Sequence, residues 1–156
     1  MKRSTRQSSG GSRRASRIFG CLLVLVLVSG CFPDTEDHPA AKVRWVQSLP
    51  EGLQLAKETG KPAMLYFTAD WCAPCVELKK YVFPDKRVVA ASERLVNIYV
   101  DADKNYDTLT KYKIRGIPAI FFLSPDGEIV ERLSGDRSVS GIVKLMNAVA
   151  DKYTRR

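Results

Sequence analysis

Apolar residues along this chain follow two kinds of pattern. Short runs, continuous or alternating, are typical of strands, and a spacing of three to four residues is typical of helices. Three short runs rich in aliphatic and aromatic residues predict buried strands, at 63–68, 95–100 and 119–123. The stretch 128–133 alternates polar and apolar residues, which predicts a half-exposed strand. Apolar residues at helical spacing predict helices at 49–59, 72–92, 106–113 and 138–153. Pro84 is expected to break the second helix, because an interior proline removes a backbone donor.

The order of these elements restricts the architecture. Strands separated by helices are expected to pair in parallel, whereas the tight turn Ser124–Gly127 requires its two strands to be antiparallel. The sequence therefore predicts an α/β fold, with a mixed central β-sheet and helices on both faces. Phe67, Phe121 and Phe122 are expected in the core.

The apolar run at 18–28 is typical of a targeting segment and not of an element of the folded domain. A helix of this length rises about 16 Å, roughly half the thickness of a bilayer core. It follows a basic segment without acidic residues, which is typical of a secretory signal peptide. Residues 1–30 hold six of the 25 basic residues and none of the 17 acidic ones. Most of the net charge of +8 therefore belongs to this segment, and we expect no nucleic-acid binding.

The apolar run ends in Val28–Cys31, small residues followed by a cysteine. This pattern resembles the bacterial lipobox, which implies cleavage before Cys31 and a diacylglyceryl group on its thiol. An uncleaved signal anchor with an incidental cysteine is the alternative. Phe32 follows the cysteine where aspartate would indicate the inner membrane, so the outer membrane is weakly favoured.

These features predict three segments. Residues 1–30 form a lipoprotein signal peptide, 31–42 a lipidated tether with two prolines and three acidic residues, and 43–156 one folded domain. The chain would then lie on the periplasmic side of a bacterial envelope, held to the membrane by its lipid.

The cysteines that remain in this scheme are Cys72 and Cys75, a C-x-x-C pair at the start of a predicted helix. Two cysteines at this spacing can close a small disulfide ring. The unpaired amides of a helix N-terminus favour the thiolate form of Cys72, which makes it the attacking group. Cys75, one turn further in, would attack the resulting mixed disulfide. Pro74 suits the first helical turn.

Two motifs carry a resemblance to the thioredoxin superfamily. Ala69–Cys75 (ADWCAPC) resembles its active-site stretch, and Gly116–Ala119 (GIPA) resembles its cis-proline loop. The similarity covers about residues 43–153 and implies a three-layer thioredoxin-like fold. Gly60–Pro62 and Lys80–Phe83 carry a closer resemblance to the C-terminal periplasmic domain of the membrane reductase DsbD and to small thioredoxin-like lipoproteins.

The resemblance implies thiol–disulfide exchange, with Cys72 as nucleophile, Cys75 as resolving thiol and Pro118 as the peptide-binding cis-proline. No cofactor is expected beyond the redox-active disulfide Cys72–Cys75. The remaining expected substrate-groove residues are Trp71, Ala73, Pro74 and Ile117. The expected partners are disulfide-containing envelope proteins and a membrane electron donor of the DsbD type, and the chain is expected to be monomeric.

The sequence departs from the thioredoxin pattern beside the resolving cysteine. Tyr66 stands where the family usually has a buried acid, and Asn97 where it has a lysine partner. A tyrosine is a poor base at neutral pH. Glu77, two residues past Cys75, could replace the missing acid. The proton acceptor for Cys75 is therefore left open.

A zinc site and a purely structural disulfide are two other roles that a C-x-x-C pair can have. A zinc site would need further ligands, but the chain has no second C-x-x-C pair and its one histidine, His38, lies in the predicted tether. We therefore expect no metal. A purely structural disulfide would stabilise little at this short spacing.

Two functions remain. One is a lipid-anchored thiol–disulfide oxidoreductase, acting as a reductase because no histidine flanks Cys72. The other is a chaperone or binding module that uses the cis-proline groove without turnover.

Overall fold

The computed structural model of the chain describes residues 42–154. The predicted signal peptide, the predicted lipidation site Cys31 and nearly all of the predicted tether lie outside the described residues.

A mixed five-stranded sheet forms the centre of the domain. Its strands are β1 (Trp45–Val46), β2 (Ala63–Thr68), β3 (Val96–Asp101), β4 (Ala119–Leu123) and β5 (Ile129–Arg132). They lie in the order β1-β3-β2-β4-β5. β1, β3 and β2 are parallel, β4 is antiparallel to β2, and β5 is antiparallel to β4. The predicted mixed sheet is confirmed.

Helices cover both faces of the sheet. They are α1 (Leu49–Thr59), α2 (Ala73–Glu77), a π-helical turn (Leu78–Val82), α3 (Lys86–Ser92), α4 (Tyr106–Lys111) and α5 (Val139–Thr154). Met64 and Tyr66 of β2 pack in the same cluster as residues of α3 and α5. Leu65 and Phe67, on the opposite face of β2, pack in a second cluster with residues of α1 and α4. The predicted three-layer arrangement is therefore present.

Most predicted elements are found close to their expected bounds. α1, β2 and β4 have the predicted limits, and Phe67, Phe121 and Phe122 are buried. The edge strand β1 was not predicted, because two residues are too few to show a periodicity. The predicted strand 95–100 begins and ends one residue later than expected.

The caps of α1 explain its limits. Ser48 precedes the helix, and its side-chain oxygen accepts a hydrogen bond from the backbone N–H of Glu51 at 3.4 Å. Pro50 occupies the first turn, where its missing donor has no cost. Gly60 ends the helix in the left-handed conformation, with φ of 65°.

The predicted helix 72–92 is divided into three parts. After α2 the chain forms the π-helical turn, in which the N–H of Phe83 donates to the carbonyl of Leu78 at 2.9 Å. This wider turn leaves both Leu78 and Phe83 in the core, each 4% exposed. Pro84 then stops the helix, and the Asp85 side chain caps α3 by accepting from the Arg87 N–H at 2.9 Å. The predicted break near Pro84 is confirmed.

The chain reverses directly after α4. Lys113 has φ of 54°, and the N–H of Ile114 donates to the carbonyl of Leu109 at 2.9 Å, which closes a Schellman-type cap. A residue with a Cβ pays about 1–2 kcal/mol for this left-handed conformation. The reversal ends the helix two residues before its predicted limit and directs the chain toward the Gly116–Pro118 loop.

We predict that Gly52→Val destabilises the domain by about 2 kcal/mol, measured as the free energy of unfolding in urea. Gly52 faces the sheet, and a Cβ built there would lie 2.5 Å from both Cγ1 and Cδ1 of Ile98, a fully buried residue of β3. The control Leu55→Val places the same residue at an exposed position of α1 and should cost far less. Equal losses in the two variants would contradict this account of the helix–sheet contact.

Candidate functional site

Cys72 and Cys75 lie at the carboxyl end of β2. Cys72 is the N-cap residue of α2 and Cys75 lies inside the helix. The two form a disulfide bond, with Cα atoms 5.2 Å apart. Cys72 is 4% exposed and Cys75 is fully buried. Cys72 is therefore the sulfur nearer to solvent, and it lies where the free amides of the helix favour negative charge.

The Gly116–Pro118 loop lies against the disulfide. The Ile117–Pro118 peptide bond is cis, as the resemblance to thioredoxins implies. The carbonyl oxygen of Ile117 lies 3.6 Å from Cys72 Sγ. Ile117 also packs against the small buried cluster of Ala69, Cys72 and Cys75. The antiparallel pairing of β2 with β4 explains the meeting, because it brings the end of one strand beside the start of the other.

Trp71 forms an exposed edge beside the disulfide. Its side chain is 70% exposed, although its Nε1–H donates to both carboxylate oxygens of Asp103 at 3.0 Å. Ala73 and Pro74, which follow Cys72, are also exposed. The residues predicted for the groove therefore fall into two groups. Trp71, Ala73 and Pro74 are exposed, whereas Ile117 lies against Cys72 and the Pro118 that follows it is buried. Their roles in binding a substrate stay predictions.

An ion pair lies next to this edge. Lys79 Nζ lies 2.8 Å from Asp70 Oδ1, and this contact lowers the pKa of Asp70 and raises that of Lys79. Asp70 is the nearest acidic residue to Cys72 in sequence, so the lysine offsets a charge that would disfavour a thiolate. Sequence reasoning missed this pair, because nine residues and a change of element separate its members.

Tyr66 lies next to the backbone of Cys75. Its side chain is fully buried, and its hydroxyl donates a hydrogen bond to the backbone carbonyl of Cys75 at 3.2 Å. Burial raises the pKa of Tyr66 to about 12. The phenol therefore keeps its proton at neutral pH. Tyr66 positions the backbone of Cys75 and does not accept its proton.

No other group in this region replaces the missing acid. Glu77 is exposed, and none of the acidic side chains within residues 42–154 is buried. Thr68, two residues after Tyr66 on the same face of β2, also has a buried hydroxyl. The polar groups behind Cys75 are thus uncharged, and no carboxylate there can accept a proton.

Asn97, at the position of the expected lysine, is a structural residue. It is 4% exposed, and its amide group donates to the carbonyls of Ser92 at 3.0 Å and Arg44 at 3.4 Å. These bonds tie β3 to the end of α3 and to the segment before β1. Asn97 therefore has no charge to contribute to the site.

Within residues 42–154 no three His, Cys, Asp or Glu side chains are grouped closely enough to hold a metal ion. In the same range no helix combines the length and the apolar character that crossing a bilayer requires. A cavity of about 330 Å³ lies at the opposite end of β2 and is lined by residues that include Lys61, Glu93 and Arg94.

Comparisons with known proteins agree with this geometry. The family model described as "Thioredoxin-like domain" matches residues 49–150. "Thiol:disulfide interchange protein DsbD" of Vibrio vulnificus (strain CMCP6) is 38% identical over 107 residues, which cover 65% of this chain and 18% of that protein. The chain thus spans less than a fifth of the length of this curated relative.

Solved structures show the same fold. A thioredoxin from Thermus thermophilus is 32% identical, with a TM-score of 0.64 over 71% of this chain and 89% of the other. The oxidised C-terminal domain of Neisseria meningitidis DsbD is 24% identical, with a TM-score of 0.54 over 67% of this chain and 98% of the other. At that identity the second likeness concerns the fold alone.

We predict that Tyr66→Phe makes the domain less sensitive to alkaline pH. The pKa of Tyr66 is about 12 in the folded chain and about 10 when unfolded, so its stabilising effect is complete below pH 10 and is lost as pH rises toward 12. Between pH 9 and pH 11 the original chain should lose about 1 kcal/mol of unfolding free energy more than the variant does. Urea titrations at the two pH values measure the difference.

The control for this prediction is Tyr106→Phe, which removes the hydroxyl of a tyrosine that is 78% exposed. It should leave the alkaline loss unchanged. At pH 7 Tyr66→Phe should cost about 1 kcal/mol, because one buried hydrogen bond is lost. If Tyr66→Phe instead shifts the pH dependence of disulfide exchange between pH 6 and pH 9, Tyr66 is a proton acceptor and the account given above is wrong.

Proposed function

The chain belongs to the thioredoxin-like domain family, and from that premise we propose that it is a membrane-anchored thiol–disulfide oxidoreductase that reduces disulfides of proteins in a bacterial envelope. One observation carries this proposal. The Cys72–Cys75 disulfide lies at a helix N-terminus, with the backbone carbonyl of Ile117 3.6 Å from the outer sulfur. The pair thus combines a cysteine with a small exposed surface, a fully buried one and an adjacent backbone edge.

The reaction would begin from the reduced pair. The Cys72 thiolate attacks one sulfur of a substrate disulfide, and the other substrate sulfur leaves as a thiolate and takes up a proton. Cys75 then loses its proton to water and attacks Cys72 Sγ, which releases the second substrate sulfur. Two electrons have passed to the substrate, and the Cys72–Cys75 disulfide has formed.

The buried position of Cys75 supports this order of events. A sulfur that is fully buried is out of reach of a folded substrate, whereas Cys72 has a small exposed surface. Cys75 can therefore reach only the mixed disulfide beside it. The neutral surroundings provided by Tyr66 leave the proton transfer of this second step to water.

Substrate binding would use the loop beside Cys72. We propose that an extended substrate segment lies along Ile117 and Pro118, and bonds to the Ile117 backbone as a neighbouring strand would. Trp71, Ala73 and Pro74 would form the other side of this groove. Their exposure makes them available for contact.

The direction of electron flow follows from the charges around Cys72. No histidine follows Cys72 in the loop, and the charge of Asp70 is offset by Lys79 at 2.8 Å. With only the helix N-terminus to favour the thiolate, the reduced form is not strongly stabilised, so the pair would act as a reductase. A reductase must be reduced again, which implies a membrane electron donor of the DsbD type.

The proposal places the domain on the periplasmic side of the envelope. We propose that residues 1–30 are removed as a signal peptide, that Cys31 carries the lipid, and that 31–42 tether the domain 43–156 to the membrane. The sequence pattern of the first 31 residues supports this scheme, and Phe32 weakly favours the outer membrane. The domain would act as a monomer.

A second candidate function is a chaperone or binding module that uses the same groove without turnover. The observation that favours it is the absence of a buried acid beside Cys75, where Tyr66 donates to the Cys75 carbonyl instead. Water can accept the proton, so this observation does not prevent exchange. Turnover decides between the two functions.

Insulin reduction by dithiothreitol, followed as turbidity, tests the proposed activity. We expect the chain to accelerate the reaction and Cys72→Ser to abolish the acceleration, because the attacking sulfur is gone. Cys75→Ala should also lose turnover but should accumulate a mixed disulfide through Cys72, visible on a non-reducing gel. Thermal melts of both variants confirm that each is folded.

Absence of turnover in the original chain, together with binding of unfolded insulin chains by both the original chain and Cys72→Ser, would support the binding module instead. The mixed disulfides trapped by Cys75→Ala in cell envelopes would identify the substrates.

We predict that the mature chain partitions into the detergent phase of a Triton X-114 extraction and that Cys31→Ser moves it to the aqueous phase. Two acyl chains hold a protein to a membrane far more firmly than one does. Cys21→Ser is the matched control, because it changes a cysteine inside the apolar run and should leave partitioning unchanged. Recovery of a mature aqueous form with unmodified Cys31 would disprove lipid anchoring.

A further inference from the structure

Three basic side chains lie at alternate positions immediately before the Gly116–Pro118 loop. We call Lys111, Lys113 and Arg115 the basic rim. All three are exposed. Between residues 106 and 118 the only acidic residue is Asp107, in the first turn of α4. The segment that leads into the proposed substrate groove is therefore clearly basic.

No carboxylate of the described residues neutralises the charges of the basic rim. Among residues 42–154, no carboxylate lies within 4.0 Å of the charged groups of Lys111, Lys113 or Arg115. The Lys111 ammonium lies 5.9 Å from the centre of the Tyr112 ring, which leaves its charge in place. The rim is thus an open cationic surface.

The acidic residues near Trp71 differ in how their charge is balanced. Asp70 pairs with Lys79 at 2.8 Å and Asp101 with Lys104 at 3.1 Å. Asp103 accepts from the neutral indole N–H of Trp71 and so keeps its charge, as does the exposed Glu77. The positive charge without an ion-pair partner among the described residues therefore belongs to the rim, on the side of the groove formed by the Gly116–Pro118 loop.

Lys113 occupies an unfavourable backbone position. It is the only residue other than glycine with a positive φ among residues 42–154, at 54°. Glycine would adopt the same conformation without steric cost and would close the same helix cap. Backbone stability therefore does not explain a lysine at position 113. The property that distinguishes lysine from glycine here is its charged side chain.

The rim is close enough to act on a substrate at Cys72. Successive Cα atoms are 3.8 Å apart, so the Cα of Arg115 lies within about 8 Å of that of Ile117, and that of Lys113 within about 15 Å. Ile117 in turn contacts Cys72 Sγ. The screening length is about 8–10 Å at physiological salt, and the lysine and arginine side chains extend beyond their Cα atoms.

We propose that the basic rim selects substrates whose disulfide is flanked by acidic residues. This inference rests on the proposed function and names a substrate class for it. An acidic segment entering the groove beside Ile117 would meet cations that have no partner of their own, which raises its rate of association. The rim is continuous with the loop that would hold the substrate and has three cations, fewer than the four to eight typical of a lipid-binding cluster. A polypeptide therefore fits better than a membrane surface.

The test uses two synthetic peptides, each closed by one disulfide and identical except that two aspartates or two lysines flank the cysteines. We measure kcat/KM for each peptide with the reduced chain at about 20 mM and about 500 mM salt. The original chain should prefer the acidic peptide at low salt, and the preference should shrink at high salt. Lys113→Gly should reduce the preference about two- to fivefold, the effect expected for one exposed charge pair. Lys113→Gly/Arg115→Gln should reduce it further.

Two features make the test specific. Lys113→Gly should leave the thermal midpoint unchanged or raise it, so a loss of preference is not a loss of folding. Lys61→Ala is the matched control, because it removes one positive charge at the opposite end of β2 and should leave the preference unchanged.

Two results would overturn the inference. One is equal kcat/KM for the two peptides with the original chain. The other is a preference that survives Lys113→Gly/Arg115→Gln; weakened binding of that variant to phosphatidylglycerol vesicles would then assign the rim to a lipid surface. A chain that reduces neither peptide nor insulin contradicts the proposed function itself.

Discussion

The site depends on one constraint, the complete burial of β2 between β3 and β4. All six residues of this strand are buried, so its two faces serve two separate cores and its position in the sheet has no freedom. Residues 69–72 connect the end of this strand to α2, which places Cys72 at the helix N-terminus. Its antiparallel neighbour β4 begins beside the same point, which brings Ile117 against Cys72. Cys72 therefore follows the end of β2 and Ile117 precedes the start of β4, so both lie at the same edge of the sheet.

The position of Cys75 follows from the same strand. Tyr66 projects from β2 into the core, where its ring packs against those of Trp45, Phe83 and Tyr99. This packing holds the hydroxyl in reach of the Cys75 carbonyl. The aromatic cluster occupies the place where the resemblance to thioredoxins led us to expect an acid, and it provides shape and one hydrogen bond instead of a charge.

Much of the fold could be predicted from the sequence, because strong local patterns agree with the tertiary structure. The buried runs of β2 and β4, the Ser48 and Gly60 limits of α1 and the proline break all have local causes. β1 could not be predicted, since its place at the sheet edge depends on pairing with β3. For the site, the C-x-x-C and Gly-Ile-Pro motifs indicated which residues meet. The Asp70–Lys79 pair and the hydroxyl of Tyr66 depend on side-chain directions that no spacing rule gives.

The neutral surroundings of Cys75 have a consequence for how the pair would respond to acidity. For a two-electron couple, a tenfold change in the equilibrium constant corresponds to about 30 mV. A dithiol that gives up two electrons also gives up two protons, so its reduction potential changes by twice this amount, about 59 mV, per pH unit. A buried carboxylate that titrates together with the thiols would change the slope of potential against pH near neutral pH. With Tyr66 protonated up to about pH 12, the surroundings of Cys75 add no such change of slope. The reduction potential of the Cys72–Cys75 pair would then change linearly with pH until the thiols themselves ionise. The potential of a substrate disulfide changes with the same slope, so the driving force for its reduction would stay constant over this range.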